Sequence, residues 1–279
     1  MYQNKPIYVA PQNGQLWGLA IEGYQSIDEI LNDWQNFTEN QLVTMSDKLV
    51  VGNDNSTIIK AENFQQPILL PKQIPAIGFN YPKHMKEMAE DLPSKPNVFN
   101  KFVSSLAGPV NSIHLSGNTD DWESELVIVI GNGGRNISRE DAEDAIAGYM
   151  VGQDLSDRTM QSIDGPSTQF DLAKSYQGYS PIGPYLTTAD TLEDIINSNV
   201  TTKVNGKVMQ QAKVGEMVFD IQTLISYISS VIELYPGDLL FTGTPSGTGV
   251  GRDPQVFLQS GDVVTSEVDG LGTISTKVI

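Results

Sequence analysis

Five consecutive aliphatic side chains, Leu126, Val127, Ile128, Val129 and Ile130, stand between a group of acids and Gly131. The run is far shorter than the roughly 20 residues needed to cross a bilayer. It also lacks the polar alternation of a strand with one wet face. It therefore predicts a strand covered on both sides, and with it a layered protein built around that strand. A chain of 279 residues with 39% apolar side chains can supply such a core, in one large domain or one with a small companion. Its 25 Gly and 15 Pro fall well under the roughly 25–30% that marks low-complexity chains.

Residues 1–70 read as a small N-terminal α/β unit. Short strands are expected at 8–9, 16–21 and 49–51, with a helix after Ser26, where Ser26 and Glu29 fit a capping box. Three prolines mark a linker over 64–75, and residues 71–279 form the larger domain. There the pattern predicts strands at 74–79, 239–242, 263–268 and 272–278. A short helix at 81–92 is opened by Pro82 and ended by Pro93. A second helix, at 138–146, carries acids in its first turn. A third follows the stripe Ile221, Leu224, Ile225, Ile228, Val231 and Ile232, stopped by Pro236 and Gly237. The fold class is α+β, mostly β.

With 17 basic against 34 acidic residues the net charge is −17 and the pI about 4.3. Such a surface repels the phosphates of nucleic acids and of anionic membranes. An anionic substrate must then be held by a few placed cations or a metal. The chain has no cysteine, which excludes disulfides, zinc–thiolate sites and thiol nucleophiles. Residues 1–17 lack the apolar core of a secretory signal, and a cytoplasmic location is expected.

The chain carries no Gly-x-Ser-x-Gly elbow, no phosphate-binding glycine loop and no complete dinucleotide fingerprint. With only His84 and His114 present, a bound metal would rest on carboxylates, a donor set for Mg²⁺ or Mn²⁺ rather than zinc. Glu123 and Glu125 fall on one face of a strand. Such pairs are common in an acidic chain, but this one runs straight into the buried strand, where neighbouring carboxylates need a cation. Asp154, after the apolar residues 147–151, is the candidate third ligand. Three crowded acids repel, so losing one should leave the fold intact or firmer.

His84 and Glu87 share one side of the short helix at i and i+3. They form either a surface pair or a dyad in which Glu87 orients the imidazole as a general base. His114 has no acid nearby and reads as structural. Lys174 is either a solvent-facing lysine or a cation that balances an anionic substrate. The loop 242–247, rich in small residues, is either a plain turn or a cradle that holds a ligand carboxylate on backbone N–H groups.

Together these segments resemble the fumarylacetoacetate hydrolase family over residues 73–279. The resemblance runs through Asn80 and Tyr81 with His84 and Glu87, then from Asp121 to Leu126, then through Gly148 and Tyr149. It continues through residues 154–158 with Gln161, Lys174 and Ser175, residues 181–184 and 204–206, and residues 236–238 leading to 242–245. It implies that Glu123, Glu125 and Asp154 bind Mg²⁺ or Mn²⁺ and that His84 and Glu87 are a catalytic dyad on a mobile lid. Lys174 would assist at the metal, and Arg158, Gln161 and Thr244 would line the substrate site. A mixed β-roll catalytic domain and a homodimer are also implied. One departure is Gln177, where many members carry Asp.

The activity implied is metal-dependent hydrolysis of a C–C bond in acylpyruvate-like 2,4-dioxo acids, with a pyruvate enolate stabilised at the metal. Oxaloacetate decarboxylation, and isomerase, hydratase or lyase chemistry on 2-oxo or 2-hydroxy acids, are the alternatives on the same site. A non-catalytic small-acid or metal-binding protein is a further one, against which the set of His84, Glu87 and Lys174 weighs, because binding alone needs no base.

Overall fold

The computed structural model describes residues 1–12, 14–50, 56–88, 91–162, 168–192 and 194–279. At its centre lies a mixed seven-stranded sheet in the order Asn97–Asn100, Pro75–Gly78, Leu239–Phe241, Ser124–Ile130, Ile146–Gln153, Ser180–Thr188, Leu106–Ala107. A five-stranded sheet, Lys207–Lys213, Asn199–Val204, Val263–Val268, Gly272–Val278 and Val110–Ile113, packs against it. A three-stranded sheet near the N-terminus, Ile7–Gln12, Gln15–Ala20 and Ser56–Ile59, is joined by short helices. The architecture is mostly β. Among the described residues no helix is long and apolar enough to cross a membrane.

Every residue of Ser124–Ile130 is buried, and its alternation explains why no polar residue interrupts the run. Leu126, Ile128 and Ile130 pack with Ile221, Leu224, Ile225 and Ile228 of the helix Ile221–Ser229. Val127 and Val129 face the other layer, with Ile74, Phe241 and Leu31, the last from the N-terminal helix Ile27–Asn32. Leu126→Ala should therefore leave a cavity between two fixed layers and destabilise the fold by about 2–5 kcal/mol, read from urea denaturation. A loss under about 1 kcal/mol would contradict this packing.

Local signals hold where side chains cap or bury. Ser26 accepts from Glu29 N at 3.1 Å, and Asp220 accepts from Thr223 N at 2.8 Å to start the helix Ile221–Ser229. That helix ends before Val231, which is 66% exposed. Three expected elements differ. Leu49 caps the helix Val43–Lys48 instead of entering a strand, the third strand being Ser56–Ile59, while Val51 lies outside the described residues. The helix expected over 81–92 covers Pro82–Glu87, and residues 89–90 lie outside the description. The helix expected over 138–146 is a turn with one short 3-10 segment, Glu143–Ala145. There Ser138 Oγ accepts from Asp141 N and donates to Asp141 Oδ2, a local turn that competes with the helix, and Ile146 is drawn into the strand paired with Ile130.

Candidate active site

Two neighbouring antiparallel strands bring the acids together. Glu123 precedes Ser124–Ile130, Asp154 follows Ile146–Gln153, and Asp154 N donates to Glu123 O at 2.8 Å. Ligand oxygens of Glu123, Glu125 and Asp154 all lie within 4.8 Å of one another, and all three residues are buried. A hard divalent ion suits this donor set. Burial, then Asp154 and Glu123, push the Glu125 carboxyl well above the ordinary carboxylate range, the behaviour of an acid crowded where a cation belongs.

The cations are placed against the other two acids. Lys174 Nζ donates to Glu123 Oε2 and Asp154 Oδ2, both at 2.7 Å, and to Ser156 Oγ at 2.8 Å. Arg158 Nη2 donates to Glu123 Oε1 at 2.6 Å, and Arg158 Nε to Asp121 Oδ2 at 3.0 Å. Burial favours a neutral Glu123, but Lys174 and then Arg158 hold its carboxyl below the usual range. Burial likewise disfavours the charge on Lys174, and Asp154 and Glu123 override it, raising the amine. The pattern also brings in Lys101, which sequence reasoning missed. It is fully buried, bonded to Asp154 and to the carbonyl of Lys174. Burial lowers its amine and Asp154 acts in the opposite sense. Nothing in a lone lysine between Asn100 and Phe102 announces this. Asp121 was likewise quoted only as part of a motif, yet it anchors Arg158.

These ion pairs correct the expectation that losing one acid leaves the fold intact or firmer. Asp154 and Glu123 are paired with buried cations, and their removal would orphan those charges.

His84 is buried on Pro82–Glu87, and its Nδ1 lies 3.1 Å from Glu87 Oε2. With Nδ1 donating to the carboxylate, Nε2 is the ring nitrogen left to accept a proton. Glu87 is itself held by Gly247 N at 3.1 Å to each oxygen and by Thr248 Oγ1 at 3.4 Å. Burial pushes the Glu87 carboxyl up, but the bonds from His84 and Gly247 outweigh it and keep it low. A Cβ at Gly251 would fall 2.1 Å from Glu87 Cγ. Gly251→Ala should thus displace Glu87 and lower kcat by about 10²-fold, with the thermal midpoint as control. An unchanged kcat would show that the Glu87 position is immaterial.

Of the two readings of the loop after Leu239–Phe241, plain turn or ligand cradle, neither describes it fully. Its N–H groups are engaged by the protein's own carboxylates: Gly243 N by Glu125 at 2.8 Å, Gly247 N by Glu87, and Gly249 N by Asp121 at 2.6 Å. Thr244 Oγ1 donates to Ser124 O at 2.9 Å. Phe79, His84, Glu123, Arg158, Gln161, Lys174 and Thr244 all line one small cavity of about 20 Å³. Two larger clefts, about 510 and 490 Å³, involve none of these residues. His114 is exposed on the surface rather than part of the core, and Gln177 is an exposed turn residue.

The family model for the fumarylacetoacetate (FAA) hydrolase C-terminal region matches residues 73–279. The chain belongs to the fumarylacetoacetate hydrolase family. It is 41% identical to the mitochondrial oxaloacetate tautomerase fahd2 of Xenopus laevis, over 81% of this chain and 72% of that protein. Among solved structures it resembles a fumarylacetoacetate hydrolase from Exiguobacterium antarcticum, with TM-score 0.77, 28% identity and 98% of each chain covered. It also resembles fumarylpyruvate hydrolase from Pseudomonas aeruginosa in complex with Mn²⁺ and pyruvate, with TM-score 0.66, 27% identity, and 82% of this chain and 94% of that one covered. These relatives overturn the expected cytoplasmic location, since the tautomerases of Xenopus laevis and Homo sapiens are mitochondrial. The lack of a secretory apolar core speaks only to secretion and does not separate the cytoplasm from an organelle, which is why the sequence misled.

Proposed function

We propose that the chain is a divalent-metal-dependent enzyme that hydrolyses acylpyruvate-like 2,4-dioxo acids. The observation that carries this reading is that one cavity is lined by Glu123 of the clustered carboxylates Glu123, Glu125 and Asp154, by Lys174, and by His84, whose ring is paired with Glu87. Mg²⁺ or Mn²⁺ held by Glu123, Glu125 and Asp154 would supply a Lewis acid for the substrate's carboxylate and keto oxygens. His84 Nε2 takes a proton from water, which attacks the distal carbonyl; the C–C bond breaks, leaving a carboxylic acid and the enolate of pyruvate. Lys174 offers positive charge as the enolate forms, and protonation of the enolate carbon completes pyruvate. Arg158, Gln161 and Thr244 orient the substrate carboxylate and keto unit.

A second reading, keto–enol tautomerisation of oxaloacetate, is favoured by the name of the relative with 41% identity. It needs the same base and the same enolate but no attacking water. Incubating the protein with acetylpyruvate and with oxaloacetate, each with Mg²⁺ and with Mn²⁺, separates the two. Pyruvate and acetate released in equal amounts support hydrolysis. Decay of enol absorbance without pyruvate supports tautomerisation, and inactivity on both overturns the shared enolate chemistry.

A further inference from the structure

We infer that Phe79, Phe99 and Phe170 form an apolar subsite for the substituent beyond the keto unit, so that the enzyme selects 2-oxo acids whose distal group is uncharged and apolar. This rests on the proposed reading of the site as a 2-oxo acid centre, and adds to it which members of that class are taken.

The three rings make a continuous wall. Phe79 packs edge-on to Phe170 at 6.3 Å, Phe170 lies 5.6 Å from Phe99, and Phe79 stacks at 25° on the His84 ring, 6.2 Å away. Lys174 Nζ sits 5.4 Å from the centre of the Phe99 ring, so the wall begins beside the carboxylate triad. All three rings, with Met88, line the same small cavity. Its volume of about 20 Å³ is near that of a single water site. The surface that a substrate meets on that side is aromatic.

Phe79 occupies this place against its own backbone preference. Its φ is +58°, a left-handed conformation in which a bulky residue is an outlier of the kind that clusters at functional sites. The next residue locks it: Asn80 Nδ2 donates to Thr242 O at 2.8 Å and Phe219 O at 3.1 Å, while Phe219 N donates to Asn80 Oδ1 at 2.9 Å. Phe99 belongs to the strand Asn97–Asn100, paired through Ala76.

Among the described residues lining this cavity, the cations are already engaged. Arg158 already donates to Asp121, Glu123 and Gln161, with its remaining capacity assigned in the proposed reading to the first carboxylate and keto unit, and Lys174 donates to Glu123, Asp154 and Ser156. A second substrate carboxylate would lose hydration against the rings without gaining an unpaired cation. An alkyl or aryl group gains by burial, at roughly three- to fourfold in kcat/KM per methylene.

The test compares oxaloacetate with acylpyruvates carrying methyl, propyl and phenyl groups, in the Mg²⁺-loaded parent and in Phe79→Leu and Phe79→Ala. Calorimetric binding of oxalate, which reaches only the metal-proximal part, serves as a second readout. In the parent, kcat/KM should rise along the acyl series and exceed that for oxaloacetate. Both variants should flatten the rise by at least tenfold between methyl and phenyl, while oxalate affinity stays within about twofold. Oxaloacetate preferred by the parent, or an acyl series unchanged in both variants, overturns the subsite while leaving the 2-oxo acid centre standing. No oxalate binding and no turnover of any of these acids would instead remove the underlying reading, and the subsite with it.

Discussion

Glu125→Gln should weaken Mn²⁺ binding by on the order of 10²-fold or more and take activity to background, with the fold intact. Among the described residues Glu125 accepts a single hydrogen bond, from Gly243 N, and forms no ion pair. Burial and its two acidic neighbours already disfavour its charge, so an amide there relieves repulsion and orphans no cation. Asp154→Ala differs in kind. It would strip Lys101 and Lys174 of a shared partner and destabilise the fold by about 3–5 kcal/mol. Titration calorimetry with Mn²⁺ and thermal melts of both variants distinguish the cases. A Glu125→Gln protein that binds Mn²⁺ like the parent would refute the metal site, and an Asp154→Ala protein as stable as the parent would refute the role of the buried lysines. The sign of the pH dependence follows as well. Because the Glu125 carboxyl titrates above the usual range without an ion, ion binding must displace its proton. Affinity should therefore increase as pH rises through that titration and level off above it.

His84→Ala should lower acylpyruvate turnover by roughly 10²–10⁴-fold, the usual contribution of a general base. Mn²⁺ affinity should be unchanged, since His84 Nδ1 is committed to Glu87 and the triad is complete without it. Glu87→Gln should fall between parent and His84→Ala: the imidazole remains, but its orienting carboxylate is gone. Oxaloacetate decarboxylation requires no attacking water and should lose less than acylpyruvate hydrolysis in the same His84→Ala protein. Rates that match the parent on acylpyruvates would eliminate water activation by His84.

The legible parts of this chain were those in which one physical demand shaped several residues at once. Five aliphatics in a row have one economical solution, burial on both faces, and Leu126 and Val127 do face opposite layers. Glu123 and Glu125 stood out because the strand beside them was readable, and Asp154 because it closes the neighbouring apolar stretch. Lys101 was illegible for the opposite reason. A single lysine has no period, and its partner Asp154 lies 53 positions away, so only the topology joins them. The segment 138–146 failed through competition, its helical composition losing to the Ser138–Asp141 turn and to strand pairing at Ile146. The three phenylalanines stand far apart in the sequence, and only the assembled fold brings them to a shared cavity.

The stretch from Gly243 to Val250 grips Glu125, Glu87 and Asp121 through the backbone amides of Gly243, Gly247, Gly249 and Val250. The proposed metal ligand, the partner of the proposed base and the anchor of Arg158 are thus keyed to one length of main chain. Backbone amides cannot be exchanged by substitution, so point changes in side chains would tune the site only weakly through this stretch. An insertion or deletion of one residue would shift the register of all three grips together. Ion affinity, proton transfer and substrate orientation would then fail as a single event instead of degrading one at a time.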